Sequence, residues 1–192
     1  MALEGIVLLP KSVLALNIFE PRYKDLLSSG LKNDRTFAVC HVQDGRPASC
    51  FGLGLIKSSM QNSDGTYFLM LEGIERYRIK EVLSVDPVLR VLCQKMEVPA
   101  VDAAGQYEDL RRHKHKRKRL ESLLTQMGDR FPQFISQVND IKKSDLSHSD
   151  FCDTVGGVFV GDVRLRQKLL QTVSVEKRLT LLCEFLDTGL LN

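Results

Sequence analysis

Tryptophan is absent, and aromatic residues make up only 7% of the 192 residues. No stretch approaches 18 consecutive apolar residues, which excludes a bilayer-spanning helix. The N-terminus carries Glu4, Lys11 and Asn17 among its apolar residues. It has neither a basic start nor a small-residue cleavage site, so it does not read as a signal peptide. The five cysteines (Cys40, Cys50, Cys93, Cys152, Cys183) are odd in number and contain no C-x-x-C pair. Four of them sit among apolar neighbours, such as Phe37-Ala38-Val39-Cys40. They read as reduced thiols packed as small hydrophobes in a cytoplasmic protein.

Signatures of catalysis are missing as well. There is no G-x-x-x-x-G-K-[ST] phosphate loop, no G-x-G-x-x-G before a helix, no G-x-S-x-G elbow and no H-E-x-x-H pair. His113 and His115 stand in a run of positive charge that opposes a metal cation. His41 alternates with apolar neighbours and reads as a structural or rim residue, and His148 lies between Ser147 and Ser149 where a helix cap accounts for it. No nucleophile stands at recognisable spacing from a base. The expectation is therefore no catalytic residue, no metal, no cofactor and no enzyme activity.

What is present is ordinary globular material. Hydrophobic residues make up 43% and charged residues 27%. A chain of this length buries about 70% of its unfolded surface, enough for a core without a disulfide or metal. The net charge of +3 is unevenly spread. Residues 111–119 read RRHKHKRKR, with seven of the 27 Lys and Arg; the rest of the chain holds 20 against 24 acids. A mildly acidic body thus carries one concentrated basic segment.

The pattern changes near residue 100. Before it, short apolar runs are cut by turn residues. Strands are expected at Ile6–Leu9, stopped by Pro10; at Thr36–Val42, ending at Asp44-Gly45; at Cys50–Ile56; at Tyr67–Leu71; at Arg76–Lys80, separated from the last by Gly73; and at Val88–Cys93. Gly52 and Gly54 inside the third suggest a bulge or bend. Asn62-Ser63-Asp64-Gly65 reads as a hairpin turn. About six such strands suggest a small closed or half-closed antiparallel barrel. One helix interrupts them, with Pro21 in its first turn and Gly30 placed to end it.

After residue 104 the period becomes helical. Leu110, Leu120, Leu123, Leu124 and Met127 share a face of a long helix over roughly 105–127, with Gly128 as its stop. A second helix follows with Pro132 in its first turn and Phe131, Phe134, Ile135, Val138 and Ile141 on one face. Ser149-Asp150-Phe151 opens a third, which must tolerate Gly156-Gly157. Asp162 and Ser174 are placed to cap the last two. The fold class is α+β, with a β-rich subdomain over 1–98, a linker over 99–105 and a helical bundle over 106–192.

The ordered motifs carry a resemblance. Leu9-Pro10, then Leu14-Ala15-Leu16-Asn17-Ile18-Phe19-Glu20-Pro21-Arg22-Tyr23, resembles the opening of the Lon protease N-terminal domain family, with its P-L-x-I-F-E-P-R-Y segment. Asn33–Phe37, Phe51–Gly54 and Asp64-Gly65 through Gly73, Arg76, Arg78 and Ile79 follow in the family's order. Lys168–Gln171 and Val175–Leu179 resemble its closing signature. The likeness covers essentially the whole chain and implies a six-stranded PUA-like pseudo-barrel with one inserted helix, then a helical bundle. A proline is missing from the Lys11–Ala15 loop, where the family usually has one. The chain ends at Asn192 without ATPase or peptidase domains, so it reads as a stand-alone member.

The resemblance implies a non-enzymatic module that binds unfolded or flexible polypeptide segments or a protein partner, at an open sheet edge or in the cleft between the halves. Under it, Ile18 and Phe19 anchor a loop, and Gly73 and Arg76 set a strand bend and its brace. Glu20, Arg22, Tyr23 and Arg76 are the candidate binding residues, though architectural roles account for most of the matched positions. Glu20 is placed to favour the helix N-terminus. The rival reading is nucleic-acid binding through Arg111, Arg112, Lys114, Lys116, Arg117, Lys118 and Arg119. No aromatic residue lies within 111–119 to offer base stacking, and a solvated helix face is the simpler account of the run. No membrane contact is implied.

Overall fold

The computed structural model describes residues 1–97 and 106–191. The linker expected over 99–105 falls outside them, as does the side chain of Leu110. The fold is α+β. Seven strands come first: β1 (Ala2–Glu4), β2 (Val13–Ile18), β3 (Thr36–Gln43), β4 (Arg46–Pro47), β5 (Cys50–Gln61), β6 (Tyr67–Ser84) and β7 (Arg90–Lys95). Helix α1 (Pro21–Lys32) stands between β2 and β3. Five helices follow: α2 (Gln106–Arg130), α3 (Ile135–Lys143, after a 3₁₀ turn at Pro132–Phe134), α4 (His148–Phe159), α5 (Val163–Gln171) and α6 (Val175–Leu191).

The strands run β1-β3-β5-β6-β2, with β4 added to β3 and β7 to β6; only β1 and β3 are parallel. The path does not close, so the sheet is not the closed barrel that was one expectation. The end strands of that path, β1 and β2, do not pair with each other. The 18 residues of β6 form one strand rather than two separated by Gly73. It pairs with β5 along one edge and, along the other, first with β2 and then with β7. Two type-favouring turns hold the hairpins: Asp44-Gly45 at φ 50° and 72°, and Gly65 at φ 76°.

The expected first strand, Ile6–Leu9, is irregular backbone. It alternates all the same. Leu8 joins the core of the sheet half, with Leu16, Ile18, Tyr23, Leu27, Phe37, Leu69 and Leu71. Val7 and Leu9 point the other way, into the helical core with Leu120, Leu124, Phe151, Leu179 and Leu182. This thread crosses the sheet at Gly52 and Gly73. A Cβ on either glycine would lie 2.0 Å from the Leu8 or Leu9 carbonyl oxygen. These strand glycines exist for close backbone approach as well as for the irregular register at Leu53/Gly54.

Three helix ends differ from expectation. α1 passes through Gly30 to Lys32, α2 passes through Gly128 to Arg130, and α4 starts one residue earlier, capped by Ser147 accepting from the Asp150 N–H at 3.1 Å. Apolar packing on neighbours outweighs the modest cost of one helical glycine. Asp162 caps α5 through the Leu165 N–H at 2.7 Å, and Ser174 caps α6 through the Lys177 N–H at 3.4 Å. Gly156 and Gly157 are contact points: a Cβ at 157 would meet the Ser12 Cβ at 2.5 Å, and one at 156 would touch Leu169 and Leu9 at 3.0 Å.

Candidate functional site

The two halves meet at a buried ionic cluster that β6 aims. Along β6, Leu69, Leu71 and Gly73 face inward at odd positions. Leu53 pairs with Glu75 but Gly54 pairs with Gly73, so Ile74 is an extra residue. This bulge reverses the alternation. Arg76, an even position, therefore turns inward and is only 4% exposed. Its Nη2 donates to both Asp153 oxygens at 2.5 Å, and its Nη1 donates to the Thr172 carbonyl at 3.1 Å. Arg178 of α6, fully buried, lies 2.7 Å from Asp153 Oδ1 and donates to Ser149 Oγ at 2.8 Å. Two guanidinium groups thus share one carboxylate. Burial pulls the Arg76 pKa below its usual value, and Asp153 opposes that shift. Asp153 and Arg178 were not singled out from the sequence. The available signal was a charge on each of two otherwise apolar helix faces: Asp153 beside Phe151, Cys152 and Val155, and Arg178 beside Val175, Leu179 and Leu182.

A cleft of about 440 Å³ opens beside this cluster, between β6–β7 and α4. Glu75, Lys95, Glu97 and Asp150 line it. Lys95 pairs with Glu75, and that bond holds the Glu75 carboxyl below the usual carboxylate range. Arg76 is the floor of the joint between the halves, consistent with its expected brace.

Glu20, Arg22 and Tyr23 are together at the start of α1. Pro21 stands at the first helical position, but Glu20 makes no side-chain cap. Its carboxylate instead meets Arg22 at 2.6 Å. Arg22 also donates to the Pro87 carbonyl at 3.2 Å and lies over the Tyr23 ring. Tyr23 is buried, with its hydroxyl donating to the Ala2 carbonyl at 3.0 Å. Ile18 anchors this corner in the core, whereas Phe19 is 65% exposed, contrary to its expected role. Arg76 is not part of this group; it belongs to the joint.

The basic run splits by helix face. Lys116 pairs with Glu176 at 3.0 Å and donates to Thr180, while Arg117 pairs with Glu121 at 2.9 Å and lies over the Phe151 ring. Arg119 pairs with Asp187. Glu176 is held below its usual pKa first by Lys116, with Arg112 and His113 adding to the effect. These cations fasten α2 to its neighbours. Arg111, Lys114, His115 and Lys118, spaced i, i+3, i+4, i+7, form an exposed stripe.

Two apolar features complete the surface. Along the outer half of the β6–β7 ribbon, whose turn touches α1 through the Pro87 carbonyl and the sheet core through Val88, the side chains of Val82, Leu83, Val85 and Leu92 are 43%, 55%, 60% and 51% exposed. The outer edge of β7 has no partner among the described residues. At the end of the bundle, Phe131, Phe134, Phe159 and Phe185 line a cavity of about 250 Å³. Among the described residues no three His, Cys, Asp or Glu side chains converge to hold a metal ion, and no helix is long and apolar enough to cross a membrane.

An open mixed sheet locked onto a helical bundle, with exposed apolar side chains on the β6–β7 ribbon, defines an α+β domain. The family described as the ATP-dependent protease La (LON) substrate-binding domain matches residues 1–188, and the chain belongs to that family. It is 20% identical to a Lon protease of Halothermothrix orenii and 22% identical to one of Heliobacterium modesticaldum, in each case over 97% of this chain. It spans about a quarter of the length of these relatives (24% and 23%). The N-terminal domain of a Mycobacterium avium complex Lon protease superposes with a TM-score of 0.69 at 18% identity, covering 97% of this chain and 96% of that one. A Lon N-terminal domain protein from Xanthomonas campestris gives 0.65 at 21% identity, covering 93% of each. These structures share the fold.

Proposed function

We propose that this chain is a non-enzymatic module of the cytoplasm that captures extended, apolar polypeptide segments on the β6–β7 ribbon. The carrying observation is that ribbon: a strand edge without a partner among the described residues, beside four exposed apolar side chains. Soluble proteins blunt such edges or cover them. An incoming strand would gain main-chain hydrogen bonds from β7 and apolar contacts from Val82, Leu83 and Leu92. Membership of a substrate-binding family supports the reading, as do the four buried free thiols for a reducing compartment. The polypeptide-contacting role of Glu20, Arg22 and Tyr23 is secondary in this proposal, because all three satisfy one another or the backbone.

Fluorescence anisotropy with a reduced, carboxymethylated test protein should show micromolar binding that ATP does not change. The exposed pair Leu83→Lys and Leu92→Lys, introduced together, should weaken it at least tenfold with no change in thermal stability. No binding, or binding unmoved by this variant, refutes the proposal.

The stripe Arg111, Lys114, His115 and Lys118 favours a second reading, nucleic-acid binding. With three Lys or Arg contacts to phosphate the slope of log Kobs against log salt is about −3. Neutralising Arg111, Lys114 and Lys118 must abolish both binding and slope, or this reading fails.

A further inference from the structure

At the end of β7 nearest the joint lies an open hollow of about 230 Å³, lined by Arg78, Lys80, Gln94, Lys95, Met96 and Val173. Three of these side chains are cations, and no acid lines the hollow. The cleft beside the ionic cluster shares Lys95 and Met96 with it but has the opposite character: Glu75, Glu97, Asp150 and Asp153 outnumber its two cations. Lys95 is bound to Glu75. Arg78 and Lys80 remain, both exposed, and among the described residues no carboxylate bonds to either. Register explains their placing. Arg78 pairs with Gln94 and Ile79 with Cys93, but Glu81 pairs with Leu92, so Lys80 is an extra residue at a second bulge. The other acids of the ribbon are occupied elsewhere. Glu81 stands opposite Leu92, and Asp86 acts on Arg22 at the turn.

Two unbalanced cations on one rim repel each other. A carboxylate seated between them removes the repulsion and accepts charge-assisted hydrogen bonds from both. The apolar floor of Met96 and Val173 suits the methylene stem of an acidic side chain, and the hollow holds no aromatic ring on which a base could stack. Its position relative to the strand edge sets a spacing. Gln94 and Leu92 lie two residues apart on one face of β7, about 7 Å along the strand. A strand added to β7 that places an apolar side chain against Leu92 therefore places the side chain two residues away against Gln94 and the hollow. We propose that the edge of β7 takes extended segments in which a Glu or Asp stands two residues from an apolar side chain, the apolar one on Leu92 and the carboxylate on Arg78 and Lys80. This rests on the ribbon reading and adds to it the charge of the captured segment.

The test is fluorescence anisotropy on the full chain with three short labelled peptides of apolar, strand-forming sequence. They differ at one position, two residues from a central Leu, which is Glu, Gln or Lys. At low ionic strength the Glu peptide should bind at least threefold more tightly than the Gln peptide and at least tenfold more tightly than the Lys peptide. Salt at about 1 M, where the screening length is about 3 Å, should erase the difference. Arg78→Gln with Lys80→Gln should bring the Glu peptide down to the affinity of the Gln peptide, leaving the Gln peptide and the thermal midpoint unchanged. Equal binding of Glu and Gln peptides by the wild type, or a Glu advantage that survives the double variant, overturns the proposal. So does an oligothymidylate that outcompetes the Glu peptide and is released by the same variant, which would make the hollow a phosphate site. Leu83→Gln with Leu92→Gln separates the two readings. If the Gln peptide binds the wild type and is lost in this variant, while Glu adds nothing, the acidic preference fails and the ribbon reading stands. If the leucine variant leaves every peptide bound as before, or no peptide binds at all, the ribbon reading fails and the pairing with Leu92 fails with it.

Discussion

Removing the carboxylate from the buried ionic cluster should be one of the costliest single changes in this protein. Asp153 is 3% exposed and stands between Arg76 and Arg178, themselves 4% and 0% exposed. Asp153→Ala leaves two guanidinium groups with no counter-ion and opens space beside them. Breaking a buried pair by deleting one partner costs about 3–5 kcal/mol. That is a large share of a typical total of about 5–15 kcal/mol. In urea, with a slope of about 2 kcal/mol per molar, the midpoint should fall by about 1.5–2.5 M. Each kcal/mol corresponds to about 2–4 °C for a chain of this size, so the thermal midpoint should fall by about 6–20 °C. Replacing the whole cluster with Arg76→Met, Asp153→Leu and Arg178→Met should instead stay within about 2 kcal/mol of the wild type or exceed it, because no charge is then buried. Chemical denaturation followed by circular dichroism reads both. An Asp153→Ala variant within about 1 kcal/mol of the wild type would refute the reasoning, since only a solvated pair is worth so little.

Gly73→Ala should destabilise by more than about 3 kcal/mol, because the new Cβ meets the Leu9 carbonyl. Gly65→Ala, strained only by its positive φ, should cost about 1 kcal/mol; equal losses in urea melts would refute this account of Gly73. Iodoacetamide should label Cys93 in the folded protein and spare Cys152, whose thiol burial pushes up to about 12. Mass spectrometry showing Cys152 modified as fast as Cys93 would contradict the burial argument. Burial, with Arg117 next, depresses the His148 pKa, so the folded state binds fewer protons there than the unfolded state. Stability should therefore rise with pH through the ordinary imidazole range near about 6.5 and be lost as pH falls from there towards the folded value. His148→Gln should flatten that part of the stability–pH curve; an unchanged slope would count against it.

Much of this architecture was legible in the sequence because local signals agreed with tertiary context. Asp162 and Ser174 cap helices as their spacing indicates, and the Asp44-Gly45 and Asp64-Gly65 turns join strands. Where tertiary contacts compete, local reading fails. Ile6–Leu9 has the composition of a strand, yet both its faces are claimed by different cores and it pairs with nothing. β2 went unread because Val13–Ile18 carries Asn17 and a single alternation without turn punctuation. Gly30 and Gly128 look like stops, but the flanking apolar residues keep the helices going. The candidate site was legible to a smaller extent. Arg76 was found as a brace, but its carboxylate lies 77 residues away on another element. Composition cannot reveal such a pairing. The basic run could not be divided into the cations that fasten α2 and the exposed stripe of Arg111, Lys114, His115 and Lys118 until the neighbouring helices were placed around it.

The thread through Val7, Leu8 and Leu9 has a consequence for how the protein comes apart. One short stretch near the start of the chain supplies side chains to the interior of the sheet and to the interior of the bundle, which is otherwise made from residues more than a hundred positions later. A helical fragment lacking the first ten residues would have two vacancies in its heart, and a sheet fragment alone would offer Val7 and Leu9 to water. Melting should accordingly show a single transition for the intact chain, and neither piece should persist alone as it does in the whole.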